Sequence, residues 1–264
     1  MGRSRGLEDG VPRVSLVIPV FNERKNVERV IRRSEEVLGR VGYGYEIIVV
    51  DDGSVDDTRE RALECAKVNG HVKVFSYARN VGKGHAVKTG FMNARGEYVV
   101  FMDGDMEITP SQIGVYVEAL RRGDVVIGSK NHPGSRVRRS ALRKCMSVGF
   151  NWLVRLLTGL NVRDTQSGLK AMRRRPLVGV FRVLAVKRFA FDVELLAVSH
   201  MYGLRIVEMP VEINMTRTVF NPREVLRMLV DLMAIKYRLM SGKYSDYLID
   251  GMYKYKDTQI KSEI

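Results

Sequence analysis

Two carboxylates one residue apart, Asp103-Gly104-Asp105, close the apolar run that begins at Tyr98. A pair so spaced can reach one hard divalent cation, and the glycine between them lets backbone approach a ligand closely. Mg2+ or Mn2+ held by one or two carboxylates completes its shell with water and substrate phosphates, so a nucleotide diphosphate suits this chemistry. The triplet alone is a common sequence; its setting gives it weight. Two more polar clusters end apolar runs: Pro19-Val20-Phe21-Asn22-Glu23 after Val14 to Val20, and Asp51-Asp52-Gly53-Ser54 after the run from Tyr45. Carboxylates gathered in one place repel unless they share a cation or a hydrogen-bond donor. A plain helix-capping role, open to Ser54 or Asp56 before a helix near Thr58, competes with this reading at Asp52.

Short β-branched runs alternate with helical stretches through the first half. Val14 to Val20, Tyr45 to Asp51, Val72 to Tyr77, Tyr98 to Asp103 and Val125 to Gly128 read as strands. Between them Glu23 to Leu38, Val55 to Asn69, Gly84 to Ala94 and Pro110 to Arg121 read as helices. This order predicts an α/β fold, a mostly parallel sheet with helices on both faces. Ligands of such sheets bind beyond the carboxyl ends of the strands, where strand order reverses. All three acidic clusters fall there. Later, Phe191 to Met201 reads as a helix, Leu204 to Val211 as a strand, and Pro222 to Met240 as a long helix.

The chain has 264 residues and is 45% hydrophobic, enough to bury a substantial core. Its net charge of +14 is unevenly placed. Residues 121–188 carry 17 basic side chains against Asp124 and Asp164 alone, while the segments on either side are nearly neutral. Such a basic middle calls for an anionic partner or surface. Cys65 and Cys145 show neither metal-ligand spacing nor a disulfide framework, so a reducing, cytoplasmic setting is expected. Met1 to Pro12 is short and charged, without the apolar core of a secretory leader. No run approaches the ~18 to 20 apolar residues of a membrane-spanning helix. Membrane contact is therefore expected to be peripheral, at the cytoplasmic face.

The segments Val17-Ile18-Pro19-Val20-Phe21-Asn22-Glu23, Val49-Val50-Asp51-Asp52-Gly53-Ser54, Asn80-Val81-Gly82-Lys83-Gly84 and Phe101-Met102-Asp103-Gly104-Asp105 together resemble family 2 glycosyltransferases of the GT-A, Rossmann-like fold. The second half narrows the likeness. Val126 to Lys130, Arg163 to Lys170 and Arg188 to Leu196 are similar to the dolichyl-phosphate glucosyltransferase and dolichol-phosphate mannose synthase branch. The resemblance implies a domain over residues 13–241, with a nucleotide-sugar half (13–128) and an acceptor half with amphipathic helices (129–241). Residues 1–12 and 242–264 would be tails. It also implies that Pro19, Phe21, Glu23, Val50 and Asp52 line the base and ribose pocket, with Gly82 and Lys83 nearby. Asp103, Gly104 and Asp105 would hold the metal and diphosphate, and Arg217 and Arg223 would close over that diphosphate. Asp103, Asp105 and Arg217 are thus the expected catalytic residues. Lys130, Arg138 and Arg139 would receive an acceptor phosphate. Phe21 stands where the family commonly has Tyr, and Lys130 where the branch has Arg, which turns a bidentate grip into a point charge.

Members of this branch move one sugar, with inversion, from a nucleotide sugar to a polyprenyl or dolichyl phosphate. UDP-glucose is the donor favoured by the motifs, with GDP-mannose the alternative. A phosphate monoester has its second pKa near ~6, so the acceptor is largely ionised at neutral pH and needs no strong base. Asp164 and Asp192 lie in the quoted motifs without an assigned role. Arg136, Arg138, Arg139, Arg143 and Lys144 precede an amphipathic stretch carrying Leu142, Met146, Leu153, Leu156 and Leu160. This arrangement suits a lipid phosphate and an anionic membrane surface. Packing of that stretch on the sheet is the competing reading. A glycan hydroxyl as acceptor would need a positioned carboxylate base. A nucleic-acid-binding module would use the positive charge differently, but no nucleic-acid motif is present and the acidic strand ends would repel phosphates. No nucleic acid partner is expected.

Overall fold

The computed structural model describes residues 11–137, 141–214 and 222–245, with residues 141–146 and 222–224 described by backbone alone. In chain order the elements are β1 (Val14–Val20), α1 (Val27–Val41), β2 (Tyr45–Asp51), α2 (Thr58–Val68), β3 (Val72–Ser76), α3 (Lys83–Asn93) and β4 (Tyr98–Met102). There follow α4 (Ile113–Ala119), β5 (Val125–Ser129), β6 (Arg136–Val137), α5 (Ala141–Thr158), β7 (Leu169–Arg173) and α6 (Arg174–Val183). The last are α7 (Phe191–Met201), β8 (Ile206–Pro210), β9 (Glu212–Ile213) and α8 (Pro222–Met240).

Among the described residues seven strands form one sheet in the order β3-β2-β1-β4-β7-β5-β8, and β6 pairs with β9 in a small second sheet. The sheet is mostly parallel, as the alternation predicts; β7 alone runs antiparallel, between β4 and β5. Side chains alternate along β1, sending Leu16 and Ile18 into one apolar layer and Val17 into the other. The first layer packs under α1 and α4, the second under α3, α6 and α7 and the inner sides of α5 and α8. Because β1, β2 and β4 are parallel neighbours, their carboxyl ends lie together, and strand order reverses between β1 and β4.

Several boundaries differ from the sequence reading for local reasons. The first helix begins at Val27 rather than Glu23, because Asn22 takes a left-handed φ of 56° and the Glu23 carboxylate accepts a hydrogen bond from Asn26. It runs on to Val41, where Gly42 at φ 75° ends it. The second starts at Thr58, whose amide donates to the Asp56 carboxylate at 3.1 Å. The helix expected over Pro110 to Arg121 is α4 flanked by the 3-10 turns Pro110–Gln112 and Leu120–Arg122. Leu169-Lys170-Ala171-Met172-Arg173 has the composition of a helix yet forms β7, with Leu169 to Met172 all buried. Tertiary pairing on both edges overrides its local preference.

Candidate active site

The loop after β1 is laced to the loop after β2. The Asn22 amide donates to Ser54 Oγ at 2.9 Å, and the Val55 amide donates to Asn22 Oδ1 at 2.9 Å. Asp52, 3% exposed, is held by the turn before α3: the Val81 amide donates to its Oδ1 at 2.8 Å, the Gly82 amide to its Oδ2 at 2.9 Å and Asn80 Nδ2 to its Oδ2 at 2.9 Å. Gly82 sits at φ 123°, and a Cβ there would meet the Lys187 carbonyl oxygen at 2.4 Å, so only glycine brings this amide to Asp52. Burial raises the Asp52 pKa, while the Val81 and Gly82 amides pull against that rise.

At the end of β4, one ammonium bridges a carboxylate. Lys83 Nζ lies 2.7 Å from Oδ1 and 2.9 Å from Oδ2 of Asp103. The Lys83 ammonium also faces the Phe101 ring at 5.1 Å, and the fully buried Lys170 ammonium faces that ring at 5.5 Å. Burial disfavours the Lys83 charge, but Asp103 and Asp192 outweigh it and raise the pKa. Asp105 is raised, first by burial and then by the neighbouring Asp103 carboxylate. Glu23 is raised by burial, and also by Asp105, Asp56 and Asp103. These acids share one field, which a cation would relieve.

A cavity of about 410 Å³ is lined by Pro19, Val20, Phe21, Glu23, Asp52, Asn80, Gly82, Lys83, Asp103, Gly104, Asp105, Arg188 and Phe189. Nine residues expected at a nucleotide-sugar site thus surround one space. Val50 does not: strand alternation turns it into the layer under α3, where it is fully buried. Gly104 is small for packing as well, since a Cβ there would meet Val20 Cγ1 at 2.7 Å. Asn80, Arg188 and Phe189 line the cavity without having been singled out. They stand inside the quoted motifs; Asn80 is held there by its hydrogen bond to Asp52, and Arg188 and Phe189 arrive with the docking of the 185–191 segment against the turn at Gly82, where the His85 amide donates to the Lys187 carbonyl at 3.1 Å.

Lys130 does not line the cavity. Its Nζ donates to the Gln166 carbonyl at 3.0 Å and pairs with Asp164 at 3.6 Å. Asp164 is 1% exposed and accepts the amides of Lys130 and Gln166 at 2.9 and 3.0 Å. Asp192 is paired at 2.8 Å with Lys170, whose Nζ also donates to the Ser167 carbonyl at 2.6 Å. Both acids are thereby committed to structure. Arg138, Arg139 and Arg217 lie outside the described residues, as does the side chain of Arg223 in α8.

The donor set suits a small hard cation. Asp103 and Asp105 supply carboxylate oxygens, and among the described residues no group of three or more His, Cys, Asp or Glu gathers as a self-sufficient metal cage. An ion there would need water and substrate phosphate to complete its shell, the habit of Mg2+ and Mn2+. The residues fit such an ion shared with a diphosphate.

The family model described as Glycosyl transferase family 2 matches residues 15–181. Dolichyl-phosphate beta-glucosyltransferase of Mus musculus is 32% identical over 255 residues, which cover 88% of this chain and 77% of that protein. The Saccharomyces cerevisiae protein of the same name is 28% identical over 257 residues, covering 88% and 77%. Among solved structures, glucosyl-3-phosphoglycerate synthase from Mycobacterium tuberculosis, in complex with Mn2+, uridine-diphosphate and phosphoglyceric acid, superposes with a TM-score of 0.65 at 24% identity. That match covers 88% of this chain and 78% of the mycobacterial one.

Proposed function

The chain belongs to glycosyl transferase family 2, and from that premise we propose that it moves a single hexose from a nucleotide-diphosphate sugar, UDP-glucose, to a polyprenyl or dolichyl phosphate. Curated relatives at about 30% identity over most of the chain carry the name dolichyl-phosphate beta-glucosyltransferase. The observation that carries the acceptor reading is the commitment of Asp164 and Asp192 to Lys130, Gln166 and Lys170. Glu194, the third acid of these motifs, is held by the Ala185 and Val186 amides and the Tyr244 hydroxyl, so none of the three is free to act as a base, and an ionised phosphate acceptor requires none.

The exposed faces of Phe21 and Phe189 offer stacking surfaces for the donor base, and Asp52 lines the same cavity, held by the Asn80 to Gly82 turn. Lys83 and Arg188 bring positive charge to the diphosphate side. Asp103 and Asp105 would hold Mg2+ or Mn2+, which as a Lewis acid neutralises charge developing on the leaving diphosphate. The acceptor phosphate oxygen attacks the anomeric carbon from the opposite side, the bond to the diphosphate breaks, and configuration inverts. Arg217 and Arg223 are proposed to close over the donor, and Arg138 and Arg139 to receive the acceptor, while Lys130 is held by Gln166 and Asp164. An acceptor with a prenyl tail brings the enzyme to a membrane surface.

Incubation with Mg2+ or Mn2+, a short polyprenyl phosphate and either UDP-glucose or GDP-mannose, followed by mass spectrometry, tests the donor assignment. Hexosyl phosphoprenol formed from UDP-glucose is the expected product. Transfer from GDP-mannose alone would replace the donor, and transfer from neither would overturn the reading.

A further inference from the structure

Residues 184–190 join α6 to α7 without forming helix or strand, yet they carry Arg188 and Phe189, both exposed, into the wall of the cavity. A stretch with no ladder of its own must be held by what lies behind it. The amides of Ala185 and Val186 donate to Glu194 Oε2 at 2.9 and 2.8 Å. Glu194 is fully buried in the first turn of α7. Its other oxygen, Oε1, accepts from the Tyr244 hydroxyl at 2.5 Å and from Arg238 Nη1 at 3.4 Å. Tyr244 lies in the stretch that sequence alone leaves as a tail, but it is 1% exposed, and its carbonyl accepts the Tyr202 hydroxyl at 2.8 Å. One carboxylate thus gathers the 185–186 backbone, the end of α8 and the turn after α8 at a single point.

We propose that Glu194 and Tyr244 are positioning residues for the nucleotide: they fix the backbone at 185–186 so that Arg188 and Phe189 stand ready at the cavity wall, and they tie that placement to the C-terminal end of α8. Neither residue lines the cavity itself. An apolar side chain at 194 would fill the same space, but it would leave the Ala185 and Val186 amides without this acceptor. From the other side the segment meets the start of α3, where the Lys187 carbonyl accepts the His85 amide next to the Gly82 turn that holds Asp52. Gripped on both sides, the segment has one place to sit. The end of α8 reaches it by a second route as well. Arg238 and Asp231 line, with Arg188, a cleft of about 470 Å³ behind the Arg79 to Val81 turn, so Arg238 both pairs with Glu194 and borders the residue that Glu194 helps to place. The inference rests on reading the cavity as a nucleotide-sugar site, and it adds the residues that set one wall of it.

Tyr244→Phe takes one hydroxyl from this network and leaves the ring in place. In the nucleotide-free variant the Ala185 and Val186 amides should exchange hydrogen at least about tenfold faster than in the parent. The calorimetric Kd for UDP with Mn2+ should rise about tenfold, the effect of losing one charge-assisted hydrogen bond from Arg188, while kcat at saturating UDP-glucose stays within about twofold. Glu194→Gln, which keeps the volume and loses the charge, shifts exchange and Kd in the same direction and further. Leu38→Ala, in the opposite apolar layer, lowers the urea midpoint but leaves UDP affinity at the parental value. Unchanged exchange in Tyr244→Phe, or a loss of UDP affinity no larger than that of Leu38→Ala, would overturn the proposal. A parent that binds no UDP, while exchange is still faster in the variant, would instead remove the nucleotide reading of the cavity and leave the hold of Glu194 on the segment in place.

Discussion

The ammonium of Lys83 spans both carboxylate oxygens of Asp103, at 2.7 and 2.9 Å, on the wall of the cavity that also holds Asp105 and Glu23. Lysine and aspartate hold each other in register for an anionic ligand: the acid keeps the amine charged, and the amine keeps the acid from repelling a diphosphate. Lys83→Met is expected to raise KM for the nucleotide sugar by about tenfold or more, the worth of ~1.5 to 3 kcal/mol for a charge-assisted hydrogen bond. Steady-state kinetics check this, and an unchanged KM would show that the ammonium does not meet the donor.

Gly168 backs the same acid. Its carbonyl accepts the Asp103 amide at 3.0 Å, and a Cβ at Gly168 would meet Asp103 Oδ2 at 2.3 Å. Gly168→Ala must therefore push the carboxylate from its place, and a misplacement near ~1 Å costs about a hundredfold in rate. Gly149→Ala, within α5 where nothing lies within 4 Å of the new methyl, should leave kcat unchanged and add ~0.5 to 1 kcal/mol of stability. Comparing kcat and urea midpoints of the two variants separates site from scaffold.

The buried pair Lys170–Asp192 ties β7 to the start of α7. Lys170→Met strands Asp192 without its counter-ion and should cost ~3 to 5 kcal/mol in urea unfolding. Lys170→Met/Asp192→Leu, which removes both charges, should recover most of that loss. A double variant as unstable as the single one would place the cost in packing instead.

Asp105 gives a pH signature with a definite sign. Its folded pKa is raised, so its ionisation opposes folding: the cost is absent below the ordinary carboxylate pKa of ~3.9 and complete above the raised folded value. Asp105→Asn should therefore unfold at a higher temperature than the parent at neutral pH, with the gain fading in acid. Metal must displace the same proton, so Mn2+ affinity in the presence of UDP should weaken as pH falls through the raised range of Asp105 and Glu23. Calorimetric titration at neutral and mildly acidic pH measures it. An affinity insensitive to pH would remove Asp105 from the metal's ligands.

The strands that build the site were legible because their signals are local. Val14 to Val20 and Tyr45 to Asp51 are continuous apolar runs ending in polar turns, and parallel pairing then brings Glu23, Asp52 and Asp103 together. What escaped depends on contacts distant in sequence. Lys170 gave β7 no strand pattern, since its charge is satisfied by Asp192, 22 positions on. Arg188 and Phe189 enter the cavity through the docking of their segment on Gly82. Val50, expected in the pocket, lies within a strand whose neighbours Val49 and Asp51 are buried too, so both sides of β2 are covered and only the residue after it, Asp52, reaches the cavity.

The acceptor's reacting group is the centre of the account, and one competition assay addresses it. A short polyprenyl phosphate and the corresponding polyprenol are supplied together with UDP-glucose and Mn2+ at neutral pH, and the products are resolved by mass spectrometry. Glucosyl phosphoprenol, with the free alcohol untouched, is the predicted outcome. Glucosylated polyprenol, or release of UDP with neither lipid modified, would contradict it.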